Sequence, residues 1–249
     1  MRSSRLVGVG VGPGDPDLVT IKAARVLADA DVVLVPATES RAARDGQDAR
    51  PGRAEEVVSA VAPGARIVRI PFSMADAAGV TPRRREAWDA SAQAASDAFR
   101  AGAGLVAFAT IGDPSVYSTF SYLAAAVRAV HPDVEVAVVP GITAMQALAA
   151  ASGTPLVEGD EILALVPLKT GVSRLAEVAA VADTVAVYKP GRHCSALKEY
   201  AETVGTDAVV GVNVGTPEQR IVPLSEVESL PYFATVLFPA DRGPTGGRL

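Results

Sequence analysis

The sequence lacks the residues that build disulfide frameworks and most metal centres. Cys194 is its one cysteine, and His131 and His193 are its two histidines, in a chain of 249 residues. A lone cysteine excludes a disulfide framework and a cysteine-based zinc site. Two histidines are too few for a histidine-rich metal centre. We therefore expect no resident metal.

Excess positive charge and long apolar runs are lacking as well. The formal net charge is −5 and the isoelectric point is about 5.2, so we expect no broad nucleic-acid-binding face. No apolar run reaches the roughly 18 residues that cross a bilayer. The first residues lack the apolar core and cleavage site of a secretory signal. These absences predict a cytoplasmic protein that engages neither membrane nor nucleic acid.

Hydrophobic residues are plentiful, at 49% of the chain with only 5% aromatics. That length and composition suit one large or two medium globular domains. A strand is predicted at residues 6–11, a helix at 18–30 and a second strand at 31–36. This β-turn-α-β order is typical of a parallel sheet, so the predicted fold class is α/β.

The glycines in and just after the first strand do not form a nucleotide-binding motif. They stand at positions 8, 10, 12 and 14 and match G-x-G-x-x-G in no register, and no acid closes the second strand. No Gly-Lys-Ser/Thr follows them, which also excludes a P-loop. A nicotinamide-dependent oxidoreductase is therefore disfavoured.

The character of the chain changes near residue 138, where we place a domain boundary between 1–138 and 139–249. Beyond it, β-prone runs occur with few helices between them, at residues 162–167, 184–188, 208–214 and 233–238. Several strands with few helices predict a mixed sheet in the second domain.

The segment at residues 110–120 is the strongest functional candidate. An apolar strand at 104–109 runs into Gly112-Asp113-Pro114 and then into a helix. Open α/β sheets bind small ligands at the carboxyl ends of their strands, and Gly112 allows the backbone to approach a ligand closely. Asp113 either contacts a ligand or caps a helix that begins near Ser115.

Four glycine- and proline-containing turns follow one another along the chain, at 12–16, 112–117, 140–144 and 213–220. Together, and in this order, they resemble those of the tetrapyrrole methylases, the S-adenosylmethionine enzymes that methylate corrin precursors. The resemblance covers nearly the whole chain.

Within that family, four segments are most similar to the enzymes that methylate carbon 20 of precorrin-2. They are residues 111–122, 139–145, 230–233 and 71–74. Sister enzymes that act at other ring positions usually carry Gly-Gly-Asp-Pro where this chain has Ile111-Gly112-Asp113-Pro114.

The resemblance implies a homodimer in which each chain has two α/β domains and a cofactor cleft between them. The N-terminal domain would form the substrate side of the cleft and the C-terminal domain the cofactor side. The positions implied to bind S-adenosylmethionine are Ile111, Gly112, Asp113, Val116, Tyr117, Thr143, Ala144, Tyr188, Lys189 and Val214. Pro13 and Asp15, in the first turn, would face the substrate.

Methyl transfer from a sulfonium needs an in-line approach of the acceptor carbon and exclusion of water. A meso carbon of a reduced tetrapyrrole is already nucleophilic, so positioning and desolvation can supply most of the rate. A proton must then leave carbon 20. Asp113, Tyr117 and Asp15 are the candidate acceptors in the chain, beside water and the ring nitrogens, and none is favoured as a single catalytic base.

The implied substrate carries eight carboxylates. Arg41 and Arg44 are candidates to bind them because a guanidinium pairs bidentately with a carboxylate. Lys169 and Arg192 are further candidates. The alternative for each of these four cations is a solvated surface charge, and for any one of them taken alone that interpretation is favoured.

Other functions remain open at this point. The acceptor could be another ring position, or a protein or ribosomal RNA, although the acidic isoelectric point argues against RNA. A binding protein that keeps the fold without turnover is a further alternative. Metal-free and cobalt-loaded precorrin-2 present the same periphery, so the sequence does not distinguish them.

Overall fold

The chain divides into two α/β units in a computed structural model that describes residues 4–38, 51–72, 81–168 and 172–242. The first unit is Met1–Thr143 and the second is Ala144–Leu249. The first unit thus extends beyond position 138. It does so because the strand that ends at Val139 pairs with the first strand of the chain.

The first unit is built on a parallel five-stranded sheet in the order β3-β2-β4-β1-β5. Its elements, in chain order, are β1 (Arg5–Gly10), α1 (Ile21–Asp29), β2 (Val32–Thr38), α2 (Arg53–Val61), β3 (Ile67–Phe72), α3 (Pro82–Arg100), β4 (Leu105–Thr110), α4 (Phe120–Val130) and β5 (Glu135–Val139). All four strand pairs are parallel, as the opening β-turn-α-β pattern predicts.

Helices cover both faces of this sheet. On one face, α1 and α2 pack Leu27 and Val57 against the strands. On the other face, α3 and α4 pack Ala95 and Phe120 against Phe108. The connection after β1 runs toward β2, whereas the connection after β4 passes over β1 to β5. The direction of winding therefore reverses between β4 and β1, where a doubly wound sheet opens a crevice at the carboxyl ends of its strands.

Two helix starts differ from expectation. The helix expected from residue 18 begins at Ile21 and is capped by Thr20, whose hydroxyl accepts the N–H of Ala23 at 3.1 Å. The helix expected near Ser115 begins only at Phe120. Asp113 lies seven positions before that start, so it cannot be the residue that caps the helix.

One aromatic residue of α4 points away from the core. Tyr122 is 49% exposed and stacks on Trp88 of α3 with a centroid distance of 4.1 Å. The buried face of α4 comprises Phe120, Leu123, Ala124 and Val127.

The second unit holds a mixed five-stranded sheet in the order β6-β7-β10-β8-β9. Its elements are α5 (Ala144–Ser152), β6 (Leu163–Pro167), α6 (Ser173–Ala179), β7 (Thr184–Tyr188), α7 (Cys194–Val204), β8 (Val209–Val212), β9 (Arg220–Pro223) and β10 (Ala234–Phe238). β6 pairs with β7 in parallel and the other pairs are antiparallel. This confirms the mixed sheet. The short edge strand β9 was not expected, because its first residue, Arg220, is also the last residue of the turn at 213–220.

Candidate functional site

Three of the four glycine- and proline-containing turns meet where the strands of the first sheet have their carboxyl ends. We call this end of the sheet its carboxyl edge. They follow β1, β4 and β5, which are neighbours in the order β4-β1-β5. Beyond the strands, the N–H of Val11 donates to the carbonyl of Thr110 at 2.9 Å, and the N–H of Gly112 donates to the carbonyl of Gly12 at 2.7 Å. The first two turns are therefore hydrogen-bonded to each other at the winding reversal.

Glycine is required here because three backbone segments touch. A Cβ atom on Gly10 would lie 2.6 Å from the carbonyl oxygen of Gly112 and 2.6 Å from the amide nitrogen of Gly141. Real Cβ atoms do not approach backbone atoms so closely. Gly10 and Gly141 thus let the turns after β4 and β5 close over the end of β1.

Asp113 joins two of these turns through its carboxylate, and its side chain is almost buried, at 7% exposure. Its Oδ1 accepts the N–H of Ser115 at 2.7 Å and also the Ser115 hydroxyl. Its Oδ2 accepts the N–H of Gly141 at 2.9 Å. The residue that the sequence offered as a helix cap or a ligand contact therefore bonds across to the next turn.

The pKa of the Asp113 carboxyl is set by two opposing effects. Burial disfavours the charged form and raises the pKa. Hydrogen bonds from the Ser115 hydroxyl and from the Gly141 and Ser115 amides favour the charged form. The hydrogen bonds prevail, so the pKa lies below its usual value. Asp113 is therefore a carboxylate at neutral pH, and a weak base.

Backbone strain marks the same region. Tyr117 has a positive φ of 51° and a side chain that is 42% exposed. A left-handed conformation costs an ordinary L-residue roughly 1–2 kcal/mol, and such strain clusters at functional sites. Val116 precedes it and donates its N–H to the carbonyl of Asp113 at 3.1 Å, which closes the turn.

The structure brings most of the predicted first-unit residues to this edge. Ile111, Gly112, Asp113, Val116 and Tyr117 follow β4, and Thr143, which is 6% exposed, follows β5.

Pro13 and Asp15 belong to the turn after β1. Pro13 is buried. The carboxylate of Asp15 accepts the N–H of Asp17 at 2.9 Å and caps the 3₁₀ turn Pro16–Leu18. Asp15 therefore has a local structural contact in addition to its predicted role.

In the second unit, Lys189 and Val214 follow the carboxyl ends of β7 and β8. These two strands flank β10, where Thr235 is opposite both Tyr188 and Gly211. The two predicted segments therefore lie at one edge of the second sheet. Tyr188 also contacts α5, because its hydroxyl oxygen accepts the N–H of Met145 at 2.8 Å, next to the predicted Ala144.

Sequence reasoning did not single out two residues at this second edge. Asn213 donates its N–H to the carbonyl of Phe233 at 3.0 Å, which places the start of β10 between the two predicted segments. Phe233 is 38% exposed and packs edge-on against Tyr232, which is 44% exposed. The similarity of residues 230–233 to the carbon-20 enzymes was the available signal, but it named no role for them.

Three non-glycine residues in the described ranges adopt positive φ: Tyr117 at 51°, Lys189 at 56° and Asn213 at 54°. The first two are among the predicted cofactor positions and the third precedes Val214. Backbone strain and sequence resemblance are independent observations, and both point to the same segments.

Some predicted residues lie outside the described residues, namely Arg41, Arg44 and Lys169. Arg192 is described and lies exposed in the 3₁₀ turn Gly191–His193 that follows β7. Across the described ranges, no cluster of three or more potential metal ligands occurs. No helix in those ranges is long and apolar enough to span a bilayer.

Comparison with known proteins decides the family. The family described as Tetrapyrrole (Corrin/Porphyrin) Methylases matches residues 5–228. The chain belongs to the tetrapyrrole methylases. All four glycine- and proline-containing turns lie within the matched residues.

Relatives of this tetrapyrrole methylase include two curated proteins from bacteria of different genera. "Precorrin-2 C(20)-methyltransferase" of Sinorhizobium sp is 32% identical, with 94% of this chain and 95% of that protein covered. "Cobalamin biosynthesis protein CobIJ" of Mycobacterium tuberculosis is 35% identical over 95% of this chain but 46% of that protein. The chain thus spans about half the length of the first curated relatives it matches.

Solved structures agree with the family. Uroporphyrin-III C-methyl transferase from Thermus thermophilus, complexed with S-adenyl homocysteine, is 25% identical, and the alignment covers 95% of this chain and 97% of that one with a TM-score of 0.65. The tetrapyrrole methylase fold expected from the ordered turns is confirmed.

Proposed function

We propose that this tetrapyrrole methylase transfers a methyl group from S-adenosylmethionine to carbon 20 of precorrin-2, or of its cobalt form, in cobalamin biosynthesis. The observation that carries the proposal is the convergence of the turns after β1, β4 and β5 at the winding reversal of a family member. The carbon-20 assignment is supported by the near full-length relative from Sinorhizobium sp.

The residues at the first sheet edge fit such a cofactor. The edge is made of backbone, small residues and the hydroxyl of Thr143, and it includes the Asp113 carboxylate, which forms no ion pair in the described part of the chain. An unpaired negative charge is compatible with a positively charged sulfonium. When bound, S-adenosylmethionine would supply an electrophilic methyl group.

We propose that Ile111, Gly112, Asp113, Val116, Tyr117 and Thr143 contribute contacts to the cofactor from the first unit. Ala144, Tyr188, Lys189 and Val214 would contribute from the second. Their task is to orient the donor and to exclude water, because the acceptor carbon is itself nucleophilic. We add Phe233 as a candidate contact at the second edge, since it lies between two of these segments.

The structure bears unequally on the three candidate proton acceptors. Asp113 has a lowered pKa and holds three hydrogen-bond donors, so its affinity for a proton is low. Asp15 accepts a backbone N–H. Tyr117 is more exposed than Asp113, at 42% against 7%. We propose that none is an obligatory base and that water or the substrate takes the proton.

The remaining assignments also belong to the proposal. Pro13, Asp15, Arg41 and Arg44 would contact the substrate, and Arg192 is placed after β7 where an exposed cation can reach a carboxylate.

The expectation of a homodimer rests on the family resemblance, and that of a cytoplasmic location on the sequence. Light scattering would test the homodimer.

The test is methyl transfer from labelled S-adenosylmethionine to precorrin-2, with and without cobalt, followed by NMR location of the new methyl group. We expect label at carbon 20 of one form. Label at another position, or none while the cofactor still binds in calorimetry, would overturn the carbon-20 assignment. Absence of cofactor binding would overturn the methyltransferase proposal itself.

A further inference from the structure

We propose that Asp113 is a positioning residue that locks the turn at 140–143 onto the turn at 110–113 and thereby sets the affinity for S-adenosylmethionine. The effect on affinity rests on the proposed function. The lock itself does not, because it consists of hydrogen bonds within the chain.

The lock spans strands that do not pair with each other. Asp113 follows β4 and Gly141 follows β5, and β1 lies between these strands. The sheet hydrogen bonds cannot hold the two turns together at this point. The bond of 2.9 Å from the Gly141 N–H to Oδ2 of Asp113 connects them across the end of β1.

The position of this bond makes it consequential for the site. Gly10 lies beneath it, where a Cβ atom would meet Gly112 and Gly141 at once. Thr143 lies two residues beyond Gly141, and its Cα is 4.0 Å from the position that a Cβ of Gly112 would occupy. A displaced turn at 140–143 would therefore change the spacing between two predicted cofactor segments.

Both carboxylate oxygens are needed for the lock. Oδ1 is held by Ser115 and Oδ2 by Gly141. An asparagine keeps the shape but offers one oxygen. If that oxygen faces Ser115, the NH₂ group opposes the Gly141 N–H, and if it faces Gly141, the NH₂ group opposes the Ser115 N–H. In either orientation one donor is opposed by another donor, so the pair of bonds is lost. The lowered pKa of Asp113 agrees with an acceptor that holds several donors.

The same sheet provides a matched control at its opposite edge. Oδ2 of Asp31 accepts the N–H groups of Gly104 and Leu105, each at 2.8 Å. Asp31 thus ties two backbone segments with the same chemistry at the amino end of β4, away from the turns. Asp31→Asn removes a carboxylate charge as Asp113→Asn does, but it keeps one oxygen that can accept both N–H groups, and it leaves the candidate site untouched.

The experiment measures cofactor affinity by calorimetry for the unaltered chain, Asp113→Asn, Asp31→Asn and Ser115→Ala. We expect Asp113→Asn to weaken S-adenosylhomocysteine binding about tenfold or more, by analogy with the loss of one charge-assisted hydrogen-bond set. Asp31→Asn should remain within about twofold of the unaltered chain. Ser115→Ala, which keeps the Gly141 bond, should fall between them and serves if Asp113→Asn does not fold.

A positional role is separated from an electrostatic one by comparing two ligands. S-adenosylmethionine carries a sulfonium charge and S-adenosylhomocysteine does not, so an electrostatic role of Asp113 would affect only the first ligand. A displaced turn does not depend on that charge and should weaken the binding of both ligands by the same factor. Loss confined to S-adenosylmethionine would overturn the lock and assign Asp113 a purely electrostatic role. Equal affinities for the unaltered chain and Asp113→Asn would overturn it as well.

Amide hydrogen exchange at residues 139–143 tests the lock without a ligand. We expect faster exchange at Gly141 in Asp113→Asn than in the unaltered chain, and no change there in Asp31→Asn. Unchanged exchange would overturn the lock. If the unaltered chain binds neither ligand, the proposed function fails, and the exchange result still decides whether the lock exists.

Discussion

The two sheet edges that carry the predicted site residues are built differently. At the edge of the first sheet, backbone touches backbone through Gly10, Gly112 and Gly141, and one buried carboxylate ties the turns together. At the edge of the second sheet, side chains dominate, with Tyr188, Lys189 and the exposed Phe233 around the start of β10. An atom added at Gly10 or Gly141 of the first edge would meet backbone, whereas the side chain of Phe233 at the second edge is exposed.

This contrast predicts where change is costly. Close-packed backbone has no rotamer through which it can relax, so an inserted methyl group must displace the chain. Exposed side chains can move at small cost. The four predictions below test and sharpen the contrast, beginning with the largest expected effect.

Gly10→Ala should destabilise the protein by about 3 kcal/mol or more, because the new Cβ would lie 2.6 Å from atoms of Gly112 and Gly141. Urea denaturation measures the change. The matched control is Gly64→Ala, where no atom lies within 4 Å of the added Cβ, and which should be neutral or slightly stabilising. Equal stability of the two variants would refute the close packing at the first edge.

The Asp113 carboxyl should make stability pH-dependent in acid. Because its pKa is lowered in the folded chain, its contribution is fully present above the unfolded pKa of about 3.9. That contribution is lost as the pH falls through the folded value. Urea midpoints measured between pH 7 and pH 3 should therefore fall less steeply at the acid end for Asp113→Asn. Parallel pH profiles would contradict this.

Glu161 provides a comparison for the acid dependence of Asp113. The pKa of Glu161 is also lowered, but its main partner is a cation, Arg242. Hydrogen bonds from Arg242 are the main cause, and burial opposes them. Its acid-dependent contribution should shrink in high salt, which screens charge pairs. The contribution of Asp113 should not, since its described partners are neutral donors. Acid titrations of Asp113→Asn and Glu161→Gln at two salt concentrations would separate the two causes.

Lys189→Gly tests the strain at the second edge and has the smallest expected effect. Relief of a φ of 56° should outweigh the added backbone freedom and stabilise the chain by about 0.5–1 kcal/mol. Asn213→Gly should change less, since asparagine tolerates positive φ. A thermal shift comparison of both variants provides the measurement. Destabilisation by Lys189→Gly would indicate that its side-chain contacts outweigh the strain.

Local signals predicted much of the fold correctly. The strand at 184–188 was predicted with both of its ends, and the apolar run at 104–109 with each end one residue early. These runs are buried and apolar, so periodicity identifies them directly. The edge strand β9 was missed because Arg220–Pro223 has only half-buried and exposed residues.

The role of Asp113 was beyond local reasoning. Its partner Gly141 lies 28 positions later in the chain, and no spacing rule connects the two. The same holds for Phe233, whose place between the segments at 188–189 and 213–214 follows from strand order. Non-local hydrogen bonds and strand pairings were the information that the local patterns lacked.

By itself, the sequence determined the family, the α/β class and the order of the four turns, because each is written in short apolar runs and in glycine and proline positions. Only the tertiary structure decided that Asp113 bridges two turns rather than caps a helix, and that α4 begins at Phe120. The physical reason is that the parallel order β4-β1-β5 brings together strand ends that are far apart in the chain. A buried carboxylate at such a junction accepts hydrogen bonds from the donors that the fold brings next to it.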